Sequence, residues 1–158
     1  MMKKLVQTAC AVVILAGSAT AVCAADLKAN LVACPANQTA IGDVGSCGKI
    51  WKLKSGEAKL SDDGKLQVEV KGLVLDDPTT AEFNGTADGV DAVAAAVICH
   101  GPNGAAVAAQ TDVTPLAKNG NAKINAQVSL PESCIAPVVV LRERYDGKIG
   151  GWLAATGM

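Results

Sequence analysis

Residues 65–71 read Lys-Leu-Gln-Val-Glu-Val-Lys, and this stretch decides the fold class. Its apolar residues alternate with polar ones, so Leu66, Val68 and Val70 face one side of an extended chain. A strand that is buried on one face and solvated on the other belongs to an antiparallel sheet. The turn sequence Ser-Asp-Asp-Gly at 61–64 precedes it, with glycine where a positive φ is wanted. The stretch therefore predicts antiparallel β-structure.

Short strands and turns continue along the rest of the chain. Apolar or alternating stretches are found at 49–54, 90–100, 105–113, 122–130, 135–144 and 148–155. Turn sequences rich in Gly and Asn separate several of them, at 101–104, 118–121 and 145–147. The alanine-rich stretch 90–100 has helix propensity, but the turn that follows it favours a hairpin. About seven short strands predict an all-β fold, a single antiparallel β-sandwich that is immunoglobulin-like or related.

Residues 1–25 have the layout of a secretory signal peptide. Two lysines stand near the start, an apolar run follows, and small residues lead to cleavage after Ala24 or Ala25. The apolar run is shorter than the roughly 20 residues that a spanning helix needs. The sequence therefore predicts an exported protein, periplasmic or extracellular, with no membrane span after cleavage. The short Lys-Lys start is typical of bacteria, and a lipoprotein acylated at Cys23 is the alternative.

Cleavage would leave two regions of different character. Residues 26–48 show no sustained period and predict an irregular N-terminal segment, whereas 49–158 form the predicted β-sandwich domain. The chain has 14 basic and 15 acidic residues. Because two of the basic residues lie in the leader, the mature chain has 12 basic against 15 acidic side chains. This balance gives no basic footprint for a nucleic-acid partner.

Four cysteines remain after the leader: Cys34, Cys47, Cys99 and Cys134. An even number in an exported chain indicates disulfides, and four cysteines allow three connectivities. We favour Cys34–Cys47, which would close the irregular N-terminal segment, with Cys99–Cys134, which would tie two strands. The chain has no Cys-x-x-Cys, so the close pairs of a structural zinc or redox site are missing.

A long acidic loop at 76–91 and the turn at 101–104 supply the candidate binding surface. Loops on a rigid β-scaffold commonly carry recognition. The candidate residues are Asp76, Asp77, Glu82, Phe83, Asp88, Asp91, His100 and Asn103. The leading hypothesis is an exported, non-catalytic module without a cofactor, which binds a protein or envelope component or has a structural role.

Two other functions compete with this hypothesis. The first is a calcium- or copper-binding module that uses His100 and the loop carboxylates. Residues 84–89 imitate the start of an EF-hand loop, but Ala95 stands where its bidentate Glu is due. The second is a small secreted hydrolase. Its triad would need His100, the only histidine, and no serine lies in a Gly-x-Ser-x-Gly elbow. We therefore predict no catalytic residues and no metal ligands.

Three stretches resemble the secreted chordin-repeat-like (CHRD) domain, a β-sandwich module. They are Lys-Leu-Gln-Val-Glu-Val-Lys-Gly-Leu at 65–73, Ile-Cys-His-Gly-Pro at 98–102 and Gly-Lys-Ile-Gly-Gly-Trp-Leu at 147–153. The family often has His-x-His before the Gly-Pro, and here Ile98 takes the first position. Its later histidine-bearing strand corresponds to Val-Leu-Arg-Glu-Arg at 140–144, and Gly150 replaces an arginine. The resemblance therefore implies the β-sandwich and no metal-dependent activity.

Overall fold

The computed structural model describes residues 26–35 and 39–157, so the predicted signal peptide at 1–25 lies outside it. Within this part of the chain there are eleven strands and one short 3₁₀ helix at Pro78–Phe83. The strands are β1 Leu27–Ala33, β2 Trp51–Lys52, β3 Ser55–Leu60, β4 Lys65–Lys71, β5 Val74–Leu75, β6 Ala92–Gly101, β7 Gly104–Gln110, β8 Thr114–Pro115, β9 Ala122–Gln127, β10 Ile135–Tyr145 and β11 Lys148–Thr156. Among the described residues, no helix has the length and apolar character to cross a bilayer.

Nine of the strands form one antiparallel sheet, and β2 and β5 form a separate pair. The sheet order is β7-β6-β10-β11-β1-β3-β4-β9, with β8 also paired to β6. The sheet curls into a half-barrel. The all-β, antiparallel prediction is confirmed, although the sheet is a curled half-barrel rather than the clear β-sandwich that the sequence predicts. The reason is β1, which pairs with β3 over residues 27–30 and with β11 over residues 31–33, so the ladder is never interrupted.

The sequence predicts an irregular N-terminal segment at 26–48, but part of this segment is regular. Leu27–Ala33 is a strand near the middle of the sheet, with Leu31 buried and its neighbours Asn30 and Val32 exposed. Its burial alternates from residue to residue, which is the pattern of a strand with one covered face. Residues 39–47 lack an extended strand and lie as a loop against β7 and β11, closed by the Cys34–Cys47 disulfide.

The main core lies on the face toward which the sheet curls. It joins side chains from strands across the sheet, among them Leu31, Leu66, Val97, Leu141 and Leu153. A second, smaller cluster lies on the outer face, where Val44 of the loop covers Ile98, Val140 and Trp152. Burial of each such large apolar side chain is worth roughly 1.5–3 kcal/mol. Both faces of the β6-β10-β11 region are therefore covered, which is why these strands read as continuous apolar runs.

The strands predicted from residue 65 onward are the best reproduced. In β4, Leu66, Val68 and Val70 are all buried, as the alternation predicts. The predicted strand at 90–100 is β6, whose alanines are small enough to lie beside long neighbours, since Ala94 faces Arg142 and Ala92 faces Arg144. The predicted strand at 49–54 shrinks to the two residues of β2, because Trp51 pairs with Leu75 of β5 rather than with the main sheet.

Candidate functional site

Both predicted disulfides are confirmed. Cys34 bonds to Cys47, and the Cα atoms lie 6.2 Å apart. Cys99, near the end of β6, bonds to Cys134, which precedes β10, with Cα atoms 4.9 Å apart. The first disulfide fixes the loop on the outer face, and the second joins a buried strand to the start of its neighbour.

The acidic loop is held to the body of the protein by backbone hydrogen bonds. Leu75 N–H donates to Thr86 O at 2.8 Å, and Gly85 N–H donates to Leu75 O at 2.8 Å. Further along, Ala87 N–H donates to Lys118 O at 2.9 Å, and the Ala87 side chain is buried. The loop begins with the 3₁₀ helix, whose N-cap Asp77 accepts a bond from Thr79 N–H at 2.9 Å. These bonds fix the loop backbone, so its side chains have defined positions.

Four of the five carboxylates of the loop, all except Glu82, pair with a cation from elsewhere in the described chain. Asp76 pairs with Lys52 at 2.9 Å and Asp77 with Lys49 at 3.5 Å. Asp88 pairs with Lys118 at 3.3 Å, and Asp91 with Arg144 at 2.6 Å. Exposed pairs of this kind contribute about 0–1 kcal/mol each. Their main effect is to spread the acids along the loop. Among the described residues, no three His, Cys, Asp or Glu side chains converge on one point.

The pKa of Asp77 is lowered, chiefly by the hydrogen bond from the Thr79 hydroxyl and then by the one from the Thr79 backbone N–H. The nearby Lys49 ammonium acts in the same direction. Both effects favour the ionised form that caps the 3₁₀ helix. Elsewhere in the loop, Glu82 and Phe83 are exposed, and the Phe83 side chain retains 45% of its accessible surface.

His100 and Asn103 lie far from this loop. Asp91 immediately precedes β6, whereas His100 is at the other end of the same strand and Asn103 is in the turn beyond it. Nine residues of extended chain at about 3.3 Å each separate Asp91 from His100 by nearly 30 Å. The predicted surface made of both the loop and the 101–104 turn is therefore not assembled. This distance separates His100 from Asp91, one of the carboxylates of the hypothetical metal site.

The structure brings a different set of residues together at the loop end of β6. A surface cleft of about 550 Å³ lies between the end of the acidic loop and the β10–β11 turn. It is lined by Ala87, Asp88, Gly89, Val90, Asp91, Leu116, Lys118, Asp146 and Gly147. Two predicted residues, Asp88 and Asp91, take part. The remaining loop candidates, Asp76, Asp77, Glu82 and Phe83, do not line this cleft.

In the sequence, Lys118, Tyr145 and Asp146 are recognisable only as members of turns. β10 runs antiparallel to β6 with Arg144 opposite Ala92, so the end of β10 lies beside the start of β6. Tyr145 is 63% exposed, and a Cβ atom built on Gly89 would lie 4.0 Å from its ring. Asp146 makes no ion pair with any described residue, in contrast to Asp88 and Asp91. The cleft thus has an exposed aromatic ring and an uncompensated carboxylate at one rim.

Charged residues continue from the cleft along β10. Arg142 donates from Nε to Gly150 O at 3.0 Å and from Nη1 to Gln110 Oε1 at 2.8 Å. Arg144 donates from Nη2 to Asp91 Oδ2, while its buried Nε has no acceptor among the described residues. Glu143 faces the other side, where burial raises the pKa of its carboxyl and a hydrogen bond from Gly151 N–H partly offsets that effect. Through Arg144, this strand fixes Asp91 at the cleft.

Comparison with models of known protein families, with curated proteins and with solved structures finds no match to this chain. The class of protein is therefore defined by the fold and the surface alone: a disulfide-bonded, antiparallel β-protein with an ordered acidic loop beside a cleft.

Proposed function

We propose that this chain is an exported, non-catalytic β-module that binds a protein or envelope component through the cleft between residues 87–91 and the β10–β11 turn. The observation that carries the proposal is the rim of this cleft. Tyr145 stands exposed beside Gly89, and Asp146 has no cationic partner among the described residues. An exposed tyrosine next to a polar cleft is a common anchor of protein contacts.

The rigidity of the walls supports a binding role. One wall is the end of the loop, held by the Ala87–Lys118 hydrogen bond and by the ion pair of Asp88 with Lys118. The other wall is the two-residue hairpin turn Asp146-Gly147, where both residues have positive φ, 50° and 72°. This turn geometry matches the twist of the flanking strands. A surface that is ordered before binding loses less entropy when a partner docks.

Export is supported by chemistry rather than by a described leader. Two disulfides are stable in the periplasm or outside the cell, where thiols are oxidised. The signal peptide and the bacterial origin stay predictions, as does the resemblance to the CHRD domain. The intact mass of the protein from its host's exported fraction tests the leader. We expect the mass of a chain that begins at Ala25 or Asp26. It should be four hydrogens lighter than the mass of the same chain in reduced form.

The two competing functions have less support in the geometry. A metal site built from His100 and the loop carboxylates would have to span the length of β6. A hydrolase would need His100 close to an acid and a nucleophile, and within the described residues His100 forms no hydrogen bond to either. Retained metal that is lost on His100→Ala would favour the first alternative, and turnover on a broad substrate panel would favour the second.

The binding proposal is tested by chemical cross-linking in the exported fraction of the host, followed by mass spectrometry of the captured chains. Tyr145→Ala and Asp146→Asn are the test variants. Asparagine tolerates the left-handed backbone at residue 146, so this variant removes the charge and keeps the turn. Asn103→Ala, at the opposite end of β6, is the matched control.

We expect a cross-linked partner that is captured by the wild type and the control and is reduced at least tenfold in both test variants. A partner that is lost with Asn103→Ala and kept with Tyr145→Ala would place recognition at the other end of β6 and contradict the proposal. Equal capture by all four proteins would also contradict it.

A further inference from the structure

The cleft between residues 87–91 and the β10–β11 turn combines apolar walls with charged groups. Ala87, Val90 and Leu116 line it, and all three side chains are buried. The charged residues that line it are Asp88, Asp91, Lys118 and Asp146. A long basic side chain has the same division, with an apolar stem and a charged head that stays near water. The cleft volume of about 550 Å³ leaves room for such a side chain.

The carboxylates of the cleft outnumber the cations that neutralise them. Asp88 pairs with Lys118 at 3.3 Å, and Asp91 pairs with Arg144 at 2.6 Å. The third carboxylate, Asp146, forms no ion pair within the part of the chain that the structure describes. One negative charge is therefore left over at the rim of the cleft. It is complementary to a positive charge on the surface of a partner.

The ion pair of Asp88 with Lys118 can be exchanged for one with a partner. The Lys118 side chain is 86% exposed, whereas that of Asp88 is 31% exposed. An ion pair with so exposed a lysine contributes little to stability, so its replacement by another cation costs little. Asp88 itself is held in place, because its backbone N–H donates to the Thr86 hydroxyl at 3.1 Å. The cleft therefore offers a second carboxylate to a cation that binds at Asp146.

The arrangement of these groups favours a planar, delocalised cation over a compact one. Among the described residues, no three His, Cys, Asp or Glu side chains are placed so that they could hold a metal ion. A guanidinium spreads its charge and five N–H donors over a plane, so it can contact acceptors that do not converge. It also stacks on aromatic rings. Tyr145, the residue before Asp146, has an exposed ring that can take this role.

We propose that the partner is a protein that places an arginine side chain in this cleft, with its stem against Val90 and Leu116 and its guanidinium at Asp146, beside the Tyr145 ring. This inference rests on the binding role proposed for the cleft and names the chemistry of the partner, a basic surface segment. The charge of the chain acts in the same direction. Of its 14 basic residues two lie in the predicted leader, so the other 12 stand against 15 acidic residues. A net negative charge attracts a basic partner.

The test is a titration of the oxidised mature chain at low ionic strength, followed by NMR of its backbone amides. The probe is the peptide acetyl-Ala-Arg-Ala-amide. Its control has citrulline in place of arginine, which keeps the shape of the side chain and removes the charge. We expect the arginine peptide to shift the amide signals of Gly89, Asp146 and Gly147 and to bind at least about tenfold more tightly than the citrulline peptide. Asp146→Asn should remove this preference. Asp62→Asn, which removes a charge in the β3–β4 turn, should keep it.

Equal affinity of the wild type for the two peptides overturns the inference, and this comparison does not depend on the fold of any variant. A preference for arginine that survives Asp146→Asn, or shifts confined to amides outside the cleft, also overturns it. The cross-linking experiment uses no peptide and decides the proposed function separately. Partner capture that depends on Tyr145 and Asp146, without a preference for arginine, would keep the proposed function and remove this inference. Equal capture by all four proteins would remove the proposed function, whatever the peptides do.

Discussion

The carboxylate of Asp43 accepts a hydrogen bond from the backbone N–H of Val107, at 2.9 Å and across 64 residues of sequence. This bond connects the disulfide-closed loop to an edge of the sheet and satisfies a donor that β6 leaves free. Four consequences of the structure, for this bond, the disulfides, two glycines and one buried acid, are open to direct measurement.

Asp43→Ala should lower the free energy of unfolding by about 1 kcal/mol, because the Val107 N–H loses its acceptor. Asp43→Asn should lose less, since the amide oxygen still accepts the bond. Urea unfolding followed by tryptophan fluorescence measures both, because the loop covers Trp152. Equal losses in the two variants would show that the charge matters and the hydrogen bond does not.

The two disulfides should make separate contributions of similar size. Replacing Cys34 and Cys47 together by alanine removes a cross-link over 13 residues, which is worth about 3 kcal/mol on the chain-entropy model. Replacing Cys99 and Cys134 removes one over 35 residues, worth just under about 4 kcal/mol. Urea midpoints of the two double variants, compared with that of the wild type, test this order. If the variant without Cys34 and Cys47 lost more stability than the variant without Cys99 and Cys134, the loop 39–47 would stabilise the fold mainly through its disulfide.

Gly120 and Gly85 have nearly the same backbone angle and different surroundings. The φ of Gly120 is +78° and that of Gly85 is +79°. A Cβ on Gly120 would collide with the Leu73 backbone, whereas none of the atoms described lies within 4 Å of one on Gly85. Gly85→Ala should therefore cost only the left-handed conformation, about 1–2 kcal/mol. Gly120→Ala should cost clearly more, and similar unfolding midpoints for the two variants would contradict this.

Glu143 should make the stability of the protein fall as the pH rises. Burial holds the pKa of its carboxyl above the ordinary value of 4.5, so the folded state binds its proton more tightly than the unfolded state does. The favourable contribution is present below pH 4.5 and is lost as the pH rises through the higher, folded-state pKa. Glu143→Gln should therefore be more stable than the wild type at pH 7, and the difference should shrink toward pH 4.

Urea unfolding of both proteins at several pH values measures this difference. Glu69→Gln is the contrasting variant, because the pKa of Glu69 is lowered, first by its hydrogen bond with Lys71. The contribution of Glu69 to the stability of the fold should be present above its ordinary pKa and be lost as the pH falls through the lower, folded-state pKa. The same pH dependence in both variants would contradict a raised pKa for Glu143 and a lowered pKa for Glu69.

Much of the fold follows from local pattern. β4 and β9 alternate cleanly, and their turns contain glycines with positive φ, at Gly64 and Gly120. The half-barrel could not be predicted in the same way, because it depends on β1. Leu27–Ala33 alternates too, but its alternation is formed partly by Ala29 and Ala33, whose small side chains give a weak signal. β1 connects β3 to β11 by pairing with both, and such long-range pairing leaves no pattern in the local sequence.

The candidate site, too, could be predicted from the sequence only in part. The acidic loop is visible in the composition of residues 76–91, and two of its predicted residues, Asp88 and Asp91, line the cleft. Lys118 and Asp146 were not identified, because they reach the cleft only through the antiparallel register of β6 and β10. His100 and Asn103 were grouped with the loop, although a ten-residue strand separates them from it. A strand keeps its neighbours in sequence far apart in space, so grouping by sequence proximity fails there.

The placement of β1 also sets the order of events during folding. Leu31 pairs with Thr156, so one of the earliest strands of the described chain finishes its ladder against the last. Such pairings close long loops and slow the folding of small β-proteins. During synthesis, residues 148–156 are the last of the described strands to be added. Until they arrive, the two groups of strands on either side of β1 have no ladder to join them. The complete sheet can therefore form only after β11 has been synthesised.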